Sequence, residues 1–178
     1  LNPSTKTPYA ISKFSAEQYV SFFKNYHNLN TTILRLYNVY GMFDYVGIYR
    51  NVIPNFIEKA SKNKNLKIHG KGKSQRDFTF VDDLMKVLQK VIFAKNKYKN
   101  IYNIGPAKPI TILALAKKII KFTGSKSKIE FIPARNWDKF SLRKANNKKF
   151  KKDFKNFRFT GIDKGLKKTI HWSLRNKK

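Results

Sequence analysis

"IHGKGKSQRDFTFVDDL", residues 68–84, carries four local signals in a row. Its first residues continue a short apolar run from Leu66, so 66–70 read as a strand. "KGKSQ" holds a glycine and no apolar residue, and reads as a turn. "RDFTFV" (76–81) alternates polar and apolar positions like an extended segment. Asp82 then stands where a helix N-cap belongs, ahead of an apolar-periodic stretch reaching Phe93. Strand, turn, extended segment and helix in that order favour an α/β arrangement over a bundle.

The flanking sequence keeps the alternation. Upstream, residues 9–27 place Ile11, Phe14, Tyr19, Phe22, Phe23 and Tyr26 near one helical face. "TTILRLYNV" (31–39) reads as a buried strand, and "NVIPNFIEKASKN" (51–63) as a helix with Pro54 in its first turn. Downstream, "NIYNIG" (100–105) and "KIEFIP" (128–133) read as strands. Between them Thr111 caps a helix that stops at Gly124. Residues 161–174 space Ile162, Leu166, Ile170 and Leu174 four apart, as in a final amphipathic helix. The stretch 135–160 is polar and aromatic and gives no clear periodicity.

The chain has 178 residues and no cysteine, which excludes disulfides, zinc–thiolate sites and cysteine nucleophiles. No apolar run approaches the roughly 20 residues that span a bilayer. The net charge of +29 is uneven: residues 1–83 carry 12 basic and 6 acidic side chains, residues 84–178 carry 27 and 4. Such an excess fits a nucleic-acid surface, an anionic small substrate, or a lysine-rich composition with no role. No nucleic-acid-binding motif accompanies the charge. The three histidines show no metal-ligand spacing, so no metal is expected.

Six stretches in order resemble one family, the extended short-chain dehydrogenase/reductases that act as nucleotide-sugar epimerases and dehydratases. They are "PYAISK" (8–13), "LRLYNVYG" (34–41), "VIPNFI" (52–57), the 68–84 block, "YNIG" (102–105) and "GLKKTIHW" (165–172). The resemblance implies an α/β fold: the C-terminal part of a Rossmann-type parallel sheet plus a smaller α/β substrate-binding domain. Residues 1–41 would end the NAD-binding domain. Residues 42–178 would be mainly substrate domain, with 82–105 returning to the sheet. No G-x-x-G-x-x-G turn is present, so the chain is expected to be the C-terminal portion of such an enzyme.

The roles that follow are those the resemblance implies. Tyr9 is the acid/base and Lys13, one helical turn on, favours its phenolate and holds the nicotinamide ribose. Leu36 and Tyr37 lie beside the cofactor, NAD with NADP as the alternative. Asn38, Asn51, Val52, His69, Arg76, Arg135 and Asp138 face the substrate. Asn38, Arg76 and Arg135 would meet its diphosphate, His69 its base and Asp138 its ribose. Asp77, Asp82 and Asp83 read as structural, a salt-bridge partner and a helix cap. The sequence departs from the family at Leu36, Trp137, Asn146 and Phe154–Lys155. The implied function is that of a UDP-hexose 4-epimerase acting on a UDP-linked hexose, homodimeric and cytoplasmic. A truncated non-catalytic remnant and a basic nucleic-acid-binding module are the rival readings.

Overall fold

A computed structural model describes residues 7–47, 51–94, 98, 100–135 and 141–176. α1 (Pro8–Tyr26) starts where Thr7 Oγ1 accepts the Ala10 N–H at 3.1 Å and Pro8 occupies the first turn. β1 (Ile33–Leu36) and β2 (Val39–Tyr40) follow. The sequence predicts one strand over 31–39, but Asn38 takes φ +33° and breaks it in two. An asparagine tolerates that region better than a β-branched residue does.

α2 (Val52–Ser61) buries Ile53, Phe56, Ile57 and Ala60. β3 (Leu66–His69) alternates buried and exposed, and β4 (Gln75–Arg76), β5 (Thr79–Phe80) and α3 (Val81–Phe93) complete the 68–84 block. α3 begins two residues earlier than the Asp82 cap predicts. Phe80 stands at its N-cap, and Asp82 lies inside the first turn with an oxygen 3.3 Å from Lys168 Nζ. β6 (Ile101–Ile104) and β7 (Ile110–Thr111) lead into α4 (Ile112–Thr123). Thr111 Oγ1 caps α4 at Ala114 N, and Gly124 at φ +64° ends it. β8 (Ile129–Ile132), β9 (Leu142–Arg143), α5 (Lys148–Asp153) and α6 (Ile162–Arg175) close the order.

The strands pair mostly in parallel, as the α/β reading requires. β1 lies on β6 with Ile33 opposite Ile101, β2 on β5, and β3 on β8 with Leu66 opposite Ile129. A three-stranded sheet runs β7–β4–β9. There β4 is parallel to β9 but antiparallel to β7. Two buried clusters result. One joins α2, β3, α4 and α6 around Ile53, Ile57, Leu66, Leu115, Ile119 and Leu166. The other joins α3 and β6 to α5 through Val87, Tyr102, Phe150 and Phe154. α1 buries none of its residues fully; Tyr19, Phe22, Phe23 and Tyr26 are all exposed.

Candidate active site

The site is built at the carboxyl ends of β1 and β6, where parallel α/β sheets hold their ligands. α1 precedes β1 and is joined to it by a partly buried, two-pronged ion pair. Arg35 Nε donates to Glu17 Oε1 at 2.8 Å, and Arg35 Nη2 to Glu17 Oε2 at 2.6 Å. Burial opposes the charge on Arg35 less than this bond favours it, so its guanidinium is held above its ordinary pKa.

Tyr9, Lys13 and Glu17 are four apart and line one helical face. With a rise of about 1.5 Å per residue, Lys13 lies about 6 Å and Tyr9 about 12 Å beyond Glu17 along the axis. The bridge thus ties α1 to β1 about two helical turns from Tyr9. Tyr9 is 72% exposed, and Lys13 Nζ lies 5.5 Å from its ring centroid, within cation–π range. Neither the acid nor the base of the bridge stands out in the sequence, since a helix glutamate and a strand arginine 18 residues apart carry no spacing signal.

Past the strand end, hydrogen bonds fix the backbone. Tyr37 N–H donates to Ile104 O at 3.1 Å. Buried Thr79 donates its hydroxyl to Tyr37 O and Ile104 O, which ties β1, β5 and β6 together. Burial pushes the Tyr37 phenol pKa up, so the ring stays a hydrogen-bond donor. Asn38 Nδ2 donates to Asp77 O at 2.7 Å.

Asp77 is fully buried, and backbone donors hold its carboxylate where the sequence suggests a salt bridge. Its Oδ2 accepts the N–H groups of Ala107 (2.8 Å) and Ala145 (3.1 Å), and its Oδ1 that of Lys108 (3.2 Å). Burial raises its pKa, and these backbone donors oppose the rise. One carboxylate thus holds β4 against two loops. Asn147 Nδ2 adds a 2.7 Å bond to Gly105 O. A Cβ at Gly105 would sit 3.0 Å from Ala145 Cβ and 3.1 Å from Asp77 Oδ2, so a side chain there would need its neighbours to give by a few tenths of an ångström. Asp83 is likewise buried, accepting the Thr160 N–H at 2.6 Å and the Thr160 hydroxyl at 2.8 Å.

The remaining predicted residues fall into three places. Leu36 is 49% exposed beside Tyr37. Asn51 stands at the N-cap of α2 without a side-chain cap bond. Its amide donates to Val39 O at 3.2 Å and Asp44 Oδ2 at 3.3 Å, with Val52 next in the first turn. His69 and Arg135 sit near the carboxyl ends of paired β3 and β8, both exposed, with His69 Nδ1 2.9 Å from Pro133 O. Arg76 is buried to 7% exposure on β4, and its Nη1 donates to Gln75 O at 2.9 Å. The structure brings Tyr37, Asn38 and Asp77 together directly, with Arg76 next in sequence. Asp138 and Trp137 lie outside the described residues. Among the described residues no group of three or more histidines and carboxylates could hold a metal ion, and no helix is long and apolar enough to cross a membrane.

Comparison with known proteins settles the family. The family model described as NAD dependent epimerase/dehydratase matches residues 1–105, more than half of the chain. The chain belongs to the NAD-dependent epimerase/dehydratase family. Among this family's curated members, bovine dTDP-D-glucose 4,6-dehydratase is 33% identical over 181 residues, covering 95% of this chain and 48% of its own length. The solved epimerase Mth375 of Methanothermobacter thermautotrophicus superposes with TM-score 0.90 at 27% identity, over 97% of this chain and 52% of that one. Thermotoga maritima UDP-glucose 4-epimerase, solved with UDP-glucose, gives TM-score 0.86 at 28% identity over 96% and 54%. The chain spans about half the length of these family members.

Proposed function

We propose that this chain forms the substrate-side half of an NAD-dependent nucleotide-sugar 4-epimerase, in which Tyr9 removes the proton of a sugar hydroxyl. The observation that carries the reading is the Tyr9–Lys13 pair, one turn apart with Lys13 Nζ 5.5 Å from the Tyr9 ring, on a helix that the Glu17–Arg35 bridge ties to β1. The residues present suit the nicotinamide–ribose end of the dinucleotide: an exposed phenol, an ammonium one turn on, and the exposed strand-end Leu36 beside Tyr37. A phosphate-binding glycine turn would have to come from further polypeptide, since the sequence holds none.

The nicotinamide, when bound, supplies the reversible two-electron chemistry. Lys13 favours the Tyr9 phenolate electrostatically, so the oxygen can take the hydroxyl proton and return it. Asn38 holds the strand end in its left-handed turn through Asp77 O, and its remaining amide valences suit a phosphate. Arg76 and Arg135 supply guanidinium forks for the diphosphate. Asn51 and Val52 offer a helix N-terminus to the nucleotide, and His69 a ring for the base. Residues 1–41 and 82–105 belong, on this reading, to the dinucleotide-binding sheet and the rest to the substrate domain. The parallel pairing of β1 with β6 supports joining 1–41 to 82–105. Exposed Phe22 and Tyr26, stacked at 4.8 Å, suit a homodimer contact on α1, which a molar-mass measurement by light scattering on the full-length protein checks.

A 4,6-dehydratase shares the same first oxidation, and the similarity to the bovine dehydratase supports that second reading. Full-length protein with UDP-glucose and dTDP-glucose separates them: an epimerised sugar is expected from the first, a 4-keto-6-deoxy sugar from the second. Tyr9→Phe should lower turnover by about 100-fold or more with substrate binding kept. Full turnover in Tyr9→Phe would remove the assignment.

A further inference from the structure

The C-terminal half of α3 and the turn at 156–158 enclose a groove of about 520 Å³, within the roughly 300–1,000 Å³ of ligand sites. Lys86, Lys90 and Phe93, four and three apart on α3, form one wall, and Asn156, Phe157 and Arg158 the other. Phe93 is 76% exposed and Ile92 beside it 69%. Lys86, Lys90 and Arg158 are in no ion pair among the described residues. The walls supply no free carboxylate either: residues 84–94 hold none, and 141–162 hold Asp153 alone, whose Oδ2 accepts the Tyr102 hydroxyl. The helix dipole accounts for Lys90 near the end of α3, but not for Lys86 or Arg158. The far wall is fixed. Asn156 turns the chain at φ +65°, Phe157 N–H donates to Phe154 O at 3.1 Å, and the Phe157 ring meets Phe150 edge-on at 5.4 Å and Phe159 at 5.1 Å. Phe93 stands about 18 Å along α3 from Val81, which follows the end of β5, so the groove is apart from the candidate active site.

We propose that this groove docks an acidic segment of a partner protein, which seats an apolar side chain on Phe93 and sets carboxylates on Lys86, Lys90 and Arg158. A phenylalanine and an isoleucine side by side leave apolar surface in water. Three cations with no acid among them repel one another. An acidic segment carrying an apolar residue relieves both costs at once. Exposed Lys151, Lys152 and Lys155 lead into the far wall and extend its charge. Because that wall is already fixed, docking orders little of it. A single nucleic-acid strand would instead need a row of open rings for its bases. Here the rings behind the far wall are turned inward: Phe150 and Phe154 are buried, and Phe157 and Phe159 partly so. Among the described residues Phe93 is the groove's one exposed ring, and its neighbour is aliphatic, which matches a protein side chain better than a base.

Fluorescence anisotropy of the full-length protein with a labelled peptide of glutamate and aspartate around a central Leu-Phe pair tests this, in about 0.15 M salt to screen the general positive field. Lys86→Glu/Lys90→Glu is compared with Lys64→Glu/Lys126→Glu, the same charge change on exposed lysines of the turns after α2 and α4. Phe93→Ala removes the exposed ring, and melting curves confirm that each variant folds. The α3 double reversal should weaken peptide binding about tenfold or more and Phe93→Ala about fivefold, with the control reversal under about twofold. The same peptide with Ala-Ala at its centre should bind wild type about fivefold more weakly, and Phe93→Ala no more weakly than the Leu-Phe peptide does. Equal losses from the two double reversals, equal binding of the two peptides to wild type, or no binding of either would overturn the proposal. So would oligothymidylate that binds more tightly than the peptide and loses affinity with Phe93→Ala, which would assign the groove to nucleic acid. Each of these outcomes leaves the nucleotide-sugar reading standing, since the groove shares no residue with that site.

Discussion

Gly165 and Tyr40 offer a double-mutant cycle whose terms can be worked in advance. Tyr40, in β2 just past Asn38, is 2% exposed, and its hydroxyl is buried without a hydrogen-bond partner among the described residues. That hydroxyl rests on Gly165 in α6. A Cβ there would lie 2.1 Å from Tyr40 Oη, 3.0 Å from Cζ and 3.2 Å from Phe80 Cδ2. Ordinary contacts begin near 3.4 Å, so Gly165→Ala must move the ring by more than 1 Å. Alanine gains about 1 kcal/mol in helix propensity, while over-packing a core costs about 1–3 kcal/mol. With a contact this short the upper end applies, giving a net loss of about 2 kcal/mol and a Tm lower by about 4–8 °C. Tyr40→Phe alone removes an unpaired buried hydroxyl and should be neutral or stabilising by about 1 kcal/mol. In that background the shortest contact of the added methyl becomes the 3.0 Å one, which shifts of tenths of an ångström relieve. Urea unfolding of the four proteins should then give a favourable coupling of about 1 kcal/mol or more. Equal losses from Gly165→Ala in both backgrounds, or a gain in the first, would refute the reasoning.

The Glu17–Arg35 bridge is the named ionic tie between α1 and β1, so Glu17→Ala should loosen α1 locally. For a partly exposed two-pronged pair, about 1–2 kcal/mol is expected, or amide exchange in 11–26 faster by about tenfold with α2 and α4 unchanged; a uniform change across the chain would count against it. Asp77→Asn keeps the shape but turns an N–H₂ toward a backbone N–H at Lys108 or at Ala107 and Ala145, and should cost about 1–3 kcal/mol in denaturant titration. Tyr102 is buried with its hydroxyl 2.6 Å from Asp153 Oδ2, and burial first, then this carboxylate, push its pKa up from 10 to about 12. A raised folded pKa favours folding fully below about pH 10 and loses that contribution as pH rises through about 12. The stability advantage of wild type over Tyr102→Phe should thus hold constant below about pH 10 and shrink above it; a constant difference to about pH 12 would contradict the shift.

What the sequence makes legible follows the range of the interactions. α1 and α4 announce themselves because Thr7 and Thr111 cap within three residues, and Gly124 supplies a left-handed stop at once. The segment 135–160 is opaque because its described pieces, two-residue β9 and six-residue α5, have no period of their own. They are held by distant partners, β9 by β4 and α5 by a stack of Phe150 on Phe154 at 4.4 Å and Phe154 on Tyr98 at 4.1 Å. The aromatics of α1 mark the limit of such patterns: they share a helical face, which fits a core or a subunit contact alike, and none of them is buried. Periodicity reports which residues share a face, not what covers that face.

The candidate site divides along the same line. Tyr9, Lys13, Asn38 and Arg76 are nameable because short motifs in register carry them. The groups that set their geometry are not, since Glu17 to Arg35, Asn38 to Asp77 and Asp77 to Ala145 span 18, 39 and 68 residues. Asp77 makes the point most sharply. A carboxylate after an arginine reads as its ion-pair partner, but β-strand alternation sends the two to opposite faces. There the carboxylate gathers three backbone donors, and the arginine takes the face it shares with Arg143. The alternation that separates the obvious salt-bridge pair is what assembles a cationic row.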